Sequence, residues 1–191
     1  MKSICVYCGS SSRAGEVYFE AARELGRVLA HEHLRLVYGG ARVGLMGALA
    51  DAAMDAGGDV VGIIPRALVE KEVAHEELTE RHVVESMHER KALMHELSDA
   101  FIALPGGFGT LDELFETLTW AQIGFHRKPT GLLNIGGYFD QLLAFCDHAV
   151  EEGFVHAAHR EMIYVENSAQ ALLGHFRTHV VPEVGKWWTP R

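Results

Sequence analysis

The feature that most constrains how this chain folds is an alternation that runs its whole length. Short apolar runs alternate with segments whose apolar residues recur at helical spacing. Strand-like runs fall at Ser3–Cys8, Leu34–Tyr38, Asp59–Ile64, His82–Val84, Ala100–Leu104, Thr130–Asn134 and Met162–Val165. Helical patterns are read over Glu16–His31, Leu45–Ala56, Ser86–Leu97, Thr110–Ile123, Tyr138–Glu151 and Ala169–His179. The first helix carries the stripe Phe19, Ala22, Leu25 (or Gly26) and Leu29. Strands apolar on both sides, each followed by a helix, imply a parallel sheet covered on both faces. The expected architecture is a doubly wound, Rossmann-like α/β domain, its parallel sheet flanked by helices on both faces. Ligands bind such sheets beyond the carboxyl ends of the strands, where strand order reverses. Three glycine-rich loops, at Gly9, at 39–44 and at 106–109, each follow a strand and should gather at that edge.

A chain of 191 residues suits one domain with a substantial core. That domain is expected over 1–181, with 182–191, which includes Trp187 and Trp188, as a C-terminal extended arm. The charged stretch from Arg66 to Glu80 interrupts the alternation and is a candidate lid. A formal net charge of −9 argues against general binding to nucleic acid or anionic membranes, which needs a basic surface. No apolar run approaches the length of a membrane span, and the start is too short in apolar residues for a signal peptide. A cytoplasmic protein is expected. Cys5 and Cys8 form a C-x-x-C, but on a strand positions three apart point to opposite faces, which disfavours a redox pair.

Most of the chemistry is concentrated in Leu104-Pro105-Gly106-Gly107-Phe108-Gly109-Thr110-Leu111-Asp112-Glu113. A buried strand feeds three glycines and then a helix start near Thr110. Such a turn presents free N–H groups at the positive end of a helix dipole, a site for a phosphate. Glu113, in the expected first turn, places a carboxylate beside that anion. Thr110-x-x-Glu113 also reads as a capping box. A plain cap, however, does not need three glycines before it. Arg90 extends inward the apolar stripe of Leu93, Met94 and Leu97. An inward arginine needs a partner, and Glu113 or a bound phosphate would serve; the other reading is an arginine that reaches back to water.

The loop from Gly39 to Gly47 invites a dinucleotide reading but fails it, since G-G-x-x-x-G follows the second strand rather than G-x-G-x-x-G the first. Walker A is absent as well, because Leu45 and Met46 follow Gly44. The loop is either a nucleotide-site wall or simply a tight turn. Twelve histidines make no metal signature; His156-x-x-His159 is read in a loop, and no metal or other cofactor is expected. No G-x-S-x-G elbow occurs.

Taken together, the motifs form a recognisable set. Pro105 to Glu113 resembles the PGGxGTxxE motif of the LOG ("Lonely Guy") family, the cytokinin riboside 5′-monophosphate phosphoribohydrolases. Ser86-Met87-His88-Glu89-Arg90-Lys91 resembles that family's MHxRK segment, and Tyr38 to Gly47 its YGGGxxGLMG loop, with Ala41 in place of a third glycine. Cys8 to Ser11 and Thr119 to Gln122 are similar too. The resemblance implies a Rossmann-like homodimer that hydrolyses the N-glycosidic bond of N6-modified AMP, and of AMP itself in many bacterial relatives. It implies catalytic roles for Arg90 and Glu113. It also implies substrate contacts at Glu72, Arg90, Lys91, Gly106, Gly107, Phe108, Gly109, Thr110, Leu111, Asp112 and Thr119. An older label in the family, lysine decarboxylase, finds no lysine placed to form a Schiff base with a pyridinium partner nearby.

The expected mechanism is metal-free hydrolysis through an oxocarbenium-like state. The 106–110 turn holds the 5′-phosphate. Glu113 stabilises the ribosyl cation or activates water, and Arg90 orients Glu113 and keeps it ionised. The apolar character of helix 110–123 on several faces suggests a dimer interface. Two rival readings are a non-catalytic nucleotide or molybdenum-cofactor carrier on the same fold and an NAD-linked oxidoreductase, the latter disfavoured by glycine spacing.

Overall fold

The structure, a computed structural model, describes residues 1–71 and 74–180. In chain order its elements are β1 (Ser3–Tyr7), α1 (Glu16–His31), β2 (Arg35–Tyr38), α2 (Gly44–Asp55), β3 (Val60–Pro65), α3 (Arg66–Val69), β4 (Glu80–Val84) and α4 (Met87–Glu96). Then follow β5 (Ala100–Ala103), α5 (Phe108–Gln122), β6 (Thr130–Leu133), α6 (Asp140–Glu151), α7 (Ala157–Arg160), β7 (Ile163–Glu166) and α8 (Ala169–Arg177). The expected arm at 182–191 lies outside the described residues.

All seven strands pair in parallel, in the order β4-β3-β2-β1-β5-β6-β7. The apolar runs dictate this, since residues of both parities are buried along β1, β2, β3, β5 and β6, while the edge strands β4 and β7 are only partly covered. Ile4 and Val6 of β1 join one core layer with Ala22, Leu25 and Leu29 of α1, Leu45 and Leu49 of α2, and Leu172 and Phe176 of α8. Cys5 and Tyr7 join the opposite layer with Met94 of α4, Leu114 of α5, and Phe139, Leu142 and Leu143 at α6. Helices therefore cover both faces, and the architecture is the doubly wound one expected. Cys8, just beyond β1, falls in the first layer, so Cys5 and Cys8 do face apart. Burial pushes both thiols up, away from the reactive thiolate. No helix among the described residues is long and apolar enough to cross a membrane.

Strand order reverses between β1 and β5. The chain leaves β1 towards β2 on one side and leaves β5 towards β6 on the other. At this point the three glycine-rich loops meet. Gly9 N donates to Pro105 O (3.1 Å), and Leu45 N donates to Gly9 O (2.9 Å).

Four local readings need correction. The 66–80 stretch is not a plain loop: it contains α3, and Ala74 forms an antiparallel bridge to Ala41. His75 clips it further, its N–H to Gly40 O (2.9 Å) and its Nε2 to Asp51 Oδ1 (2.8 Å). Helix α5 begins two residues before Thr110, and α6 begins at Asp140 after a 3-10 turn at Ile135–Gly137. His156, expected in a loop, caps α7 by accepting from Ala158 N, with His159 inside that helix.

Candidate active site

The site is built on the loops after β1, β2 and β5. Helix α5 starts at Phe108 with Gly107 as its N-cap and no capping side chain. Its leading N–H groups therefore find no acceptor among the described residues. A Cβ at Gly107 or at Gly109 would meet nothing within 4 Å, and the Phe108 side chain is 93% exposed. Neither glycine is required by packing or by a left-handed backbone; both leave open the approach to the helix start. Gly106 differs, because a Cβ there would strike the Thr110 side chain and crowd Gly9 N.

The early start of α5 abolishes the capping box. Thr110 lies inside the first turn and packs, buried, against Gly106 rather than capping. Glu113 moves to the second turn, on the buried face shared by Thr110, Leu114, Thr117 and Ala121. It is 5% exposed. Sequence reasoning missed what holds it there. Thr117 Oγ1 donates to Glu113 O (2.9 Å), and the buried Tyr7 hydroxyl donates in turn to Thr117 Oγ1 (2.9 Å).

Arg90 is 6% exposed and faces inward from the first turn of α4, so it does not reach back to water. The start of α4 is fixed by two bonds: the N-cap Ser86 Oγ accepts from Glu89 N (3.1 Å), and Glu89 Oε2 accepts from the N–H of Glu85, the residue before the cap (2.9 Å). The guanidinium lies against the β2 loop, where a Cβ at Gly39 would overlap it. Gly40 (φ 72°) and Gly44 (φ 62°) are left-handed, so the loop is a tight turn that also makes room for an arginine. Ala41, where the motif has glycine, needs no left-handed backbone and serves in the bridge to Ala74.

Arg90 Nη2 stands 3.7 Å from Glu113 Oε1, an ion pair without a hydrogen bond. Nη1 contacts Met87 Sδ (3.8 Å), and the buried Nε has no partner among the described residues. Burial raises the Glu113 carboxyl to about 7; Arg90 pulls it down, and burial prevails. The expectation that Arg90 keeps this acid fully ionised is thus only half met. Arginine and acid do meet, but desolvation leaves Glu113 able to gain or lose a proton near neutrality.

Lys91 follows on the same helix, its Nζ 3.1 Å from Asp112 Oδ2 and 3.1 Å from Glu116 Oε1. Burial would depress the ammonium, but the two carboxylates outweigh it and hold it charged. Such a lysine is no free amine for a Schiff base. Leu111 is half-buried beside the core layer. Thr119 is not brought to the cradle: it is exposed on the outer side of α5, its Oγ1 bonded to Phe115 O (2.7 Å). Glu72 lies outside the described residues. No group of three or more His, Cys, Asp or Glu suited to a metal ion occurs among the described residues.

Fold and site together define a class: a doubly wound α/β protein with an open helix start and a buried acid–guanidinium pair at its switch point. A family model described as "Possible lysine decarboxylase" matches residues 46–176. A cytokinin riboside 5′-monophosphate phosphoribohydrolase of Rhodococcoides fascians is 51% identical over 178 residues, covering 93% of this chain and 90% of its own. One of Arabidopsis thaliana is 50% identical over 172 residues, covering 90% and 75%. The chain belongs to this family of LOG-type proteins. Among solved structures, a molybdenum cofactor binding protein from Rippkaea orientalis superposes with a TM-score of 0.71 at 22% identity, covering 93% of this chain and 97% of that one. The molybdenum cofactor carrier protein of Chlamydomonas reinhardtii gives 0.71 at 20%, covering 93% and 96%. At that identity they share the fold alone.

Proposed function

We propose that the protein hydrolyses the N-glycosidic bond of adenosine 5′-monophosphates, N6-modified or plain, releasing the free adenine-type base and ribose 5-phosphate. The single observation that carries this reading is the pairing of buried Glu113 with Arg90 beside the open start of α5. The N–H groups of 106–110 hold the 5′-phosphate, aided by the helix dipole. Glu113 lies against the ribose. As a carboxylate it stabilises the positive charge that grows on the anomeric carbon as the bond to the base breaks, or takes a proton from the attacking water. Arg90 positions that carboxylate. Lys91 and Asp112 are assigned to substrate binding, as are Leu111 and Thr119.

The protein is further proposed to be a cytoplasmic homodimer. Phe115 on α5 and Ile123 at its C-cap are exposed, and Thr119 shares that outward surface. A second copy packed there covers them and places the Thr119 contact across the interface. The carriers share the fold at only 20–22% identity, whereas the phosphoribohydrolases are 50–51% identical, so the carrier reading ranks second.

The test is incubation with AMP and with isopentenyladenosine monophosphate, followed by chromatography. Release of free base supports the hydrolase; tight binding without turnover supports the carrier. Glu113→Gln should lower the rate on the order of a hundredfold. A variant as fast as wild type removes Glu113 from the mechanism.

A further inference from the structure

Tyr138 belongs to none of the motifs, yet it touches the cradle. We propose that it is a positioning residue for the anion site, its hydroxyl setting how tightly the phosphate is gripped; this rests on the hydrolase reading above. After β6 the chain reverses through Gly136 (φ 61°) and Gly137 (φ 72°), both left-handed. Asn134 locks the turn: its Nδ2 donates to Asp140 Oδ1 (2.7 Å) and its Oδ1 accepts from Phe139 N (2.7 Å). The turn carries Tyr138 over the neighbouring loop. Its ring meets Tyr18 edge-on (centroids 5.6 Å apart) and Phe139 at 5.1 Å. Its hydroxyl donates to Gly106 O (2.7 Å).

That bond matters because of what the next atoms do. A trans peptide points its C=O and N–H in opposite directions. Fixing the oxygen of Gly106 therefore fixes the aim of the Gly107 N–H, the N-cap amide of α5. The preceding peptide is tied from the other side, through Pro105 O and Gly9 N. Consecutive glycines keep the approach open for an anion but leave the backbone soft. Tyr138 supplies the stiffness that Gly106 and Gly107 lack.

Tyr138→Phe keeps the ring and deletes only the hydroxyl. Calorimetry on the full chain should show ribose 5-phosphate binding weakened roughly three- to tenfold, because the ligand must then order a backbone unit that the hydroxyl no longer holds. The KM for AMP should rise alongside while kcat changes little. Affinity for adenosine, which lacks the phosphate, should not move. Unchanged ribose 5-phosphate affinity overturns the proposal, and so does an equal loss for both ligands, which marks general damage. Binding is read apart from turnover. Wild-type protein that binds ribose 5-phosphate but frees no base from AMP defeats the hydrolase reading, while the two affinities still decide the role of Tyr138.

Discussion

Glu113 shows burial and charge in opposition within one side chain. Its carboxyl sits at about 7 because desolvation outweighs Arg90. If it acts as a carboxylate, kcat/KM for AMP rises with pH along an acid limb centred near 7, and a flat profile from pH 5 to 8 removes that role. The same shift has a stability signature. Between the ordinary value of 4.5 and about 7, the folded protein holds a proton that the unfolded chain has released, so stability falls as pH rises through that window. Glu113→Gln cannot ionise. Its stability relative to wild type should improve by ~3 kcal/mol from pH 4 to pH 8, as read by urea denaturation at each pH. Gly39 gives the complementary test. A methyl there meets the tip of the Arg90 side chain, with Met46 also close (Cε 3.3 Å), and the buried guanidinium must shift away from Glu113 to make room. Gly39→Ala should lower Tm by several degrees and lose at least tenfold in kcat, because the buried guanidinium leaves Glu113. Full activity in that variant breaks the link between Arg90 and catalysis.

Helix α5 is the element on which the site depends, and its register is set by groups far along the chain. Tyr7, at the end of β1, reaches Thr117 from the sheet. His126 bonds Thr117 O through Nε2 (3.0 Å) while its Nδ1 accepts from Lys128 N (3.1 Å), so Nε2 bears the hydrogen. Burial depresses the imidazolium, which keeps the ring neutral. Thr117→Val preserves shape but strands the buried Tyr7 hydroxyl. It should cost about 1–3 kcal/mol, a fall of several degrees in Tm by calorimetry. Thr117→Ser should restore most of it, and a Val variant as stable as wild type shows that the network is dispensable. The segment between β3 and β4 is anchored in a similar way, by Ala74 to Ala41 and by His75 to Gly40 and Asp51. At Ala74 and His75 it is stitched to the β2 loop that backs Arg90.

At the scale of the whole molecule, the sheet order concentrates the chemistry at one edge. The neighbours at the reversal, β1 and β5, bring the Gly9 loop and the turn before α5 within hydrogen-bonding reach, and the β2 loop that holds Arg90 lies beside them. The outer surface of α5 remains open in one chain. If a second copy covers it, light scattering should give twice the chain mass at micromolar concentration, and Phe115→Glu should give monomers with Thr119-dependent binding lost. A monomeric wild type rejects the interface.

The amino-acid sequence determined the parallel architecture, because apolar runs without alternation can only be buried on both faces. It determined where the glycine turns fall, and that Arg90 continues the stripe of Leu93, Met94 and Leu97; that its guanidinium stays inside rather than reaching back to water was decided by the fold. Tertiary structure alone decided the rest. The start of α5 at Phe108 depends on the packing of Thr110 against Gly106, which local signals in Thr-x-x-Glu concealed. The acidity of Glu113 depends on how much water the assembled core removes, and the reach of Tyr138 to Gly106 on two loops made neighbours by the sheet. Periodicity and spacing are properties of a segment, whereas solvation and distant contacts exist only once segments far apart in the chain have come together.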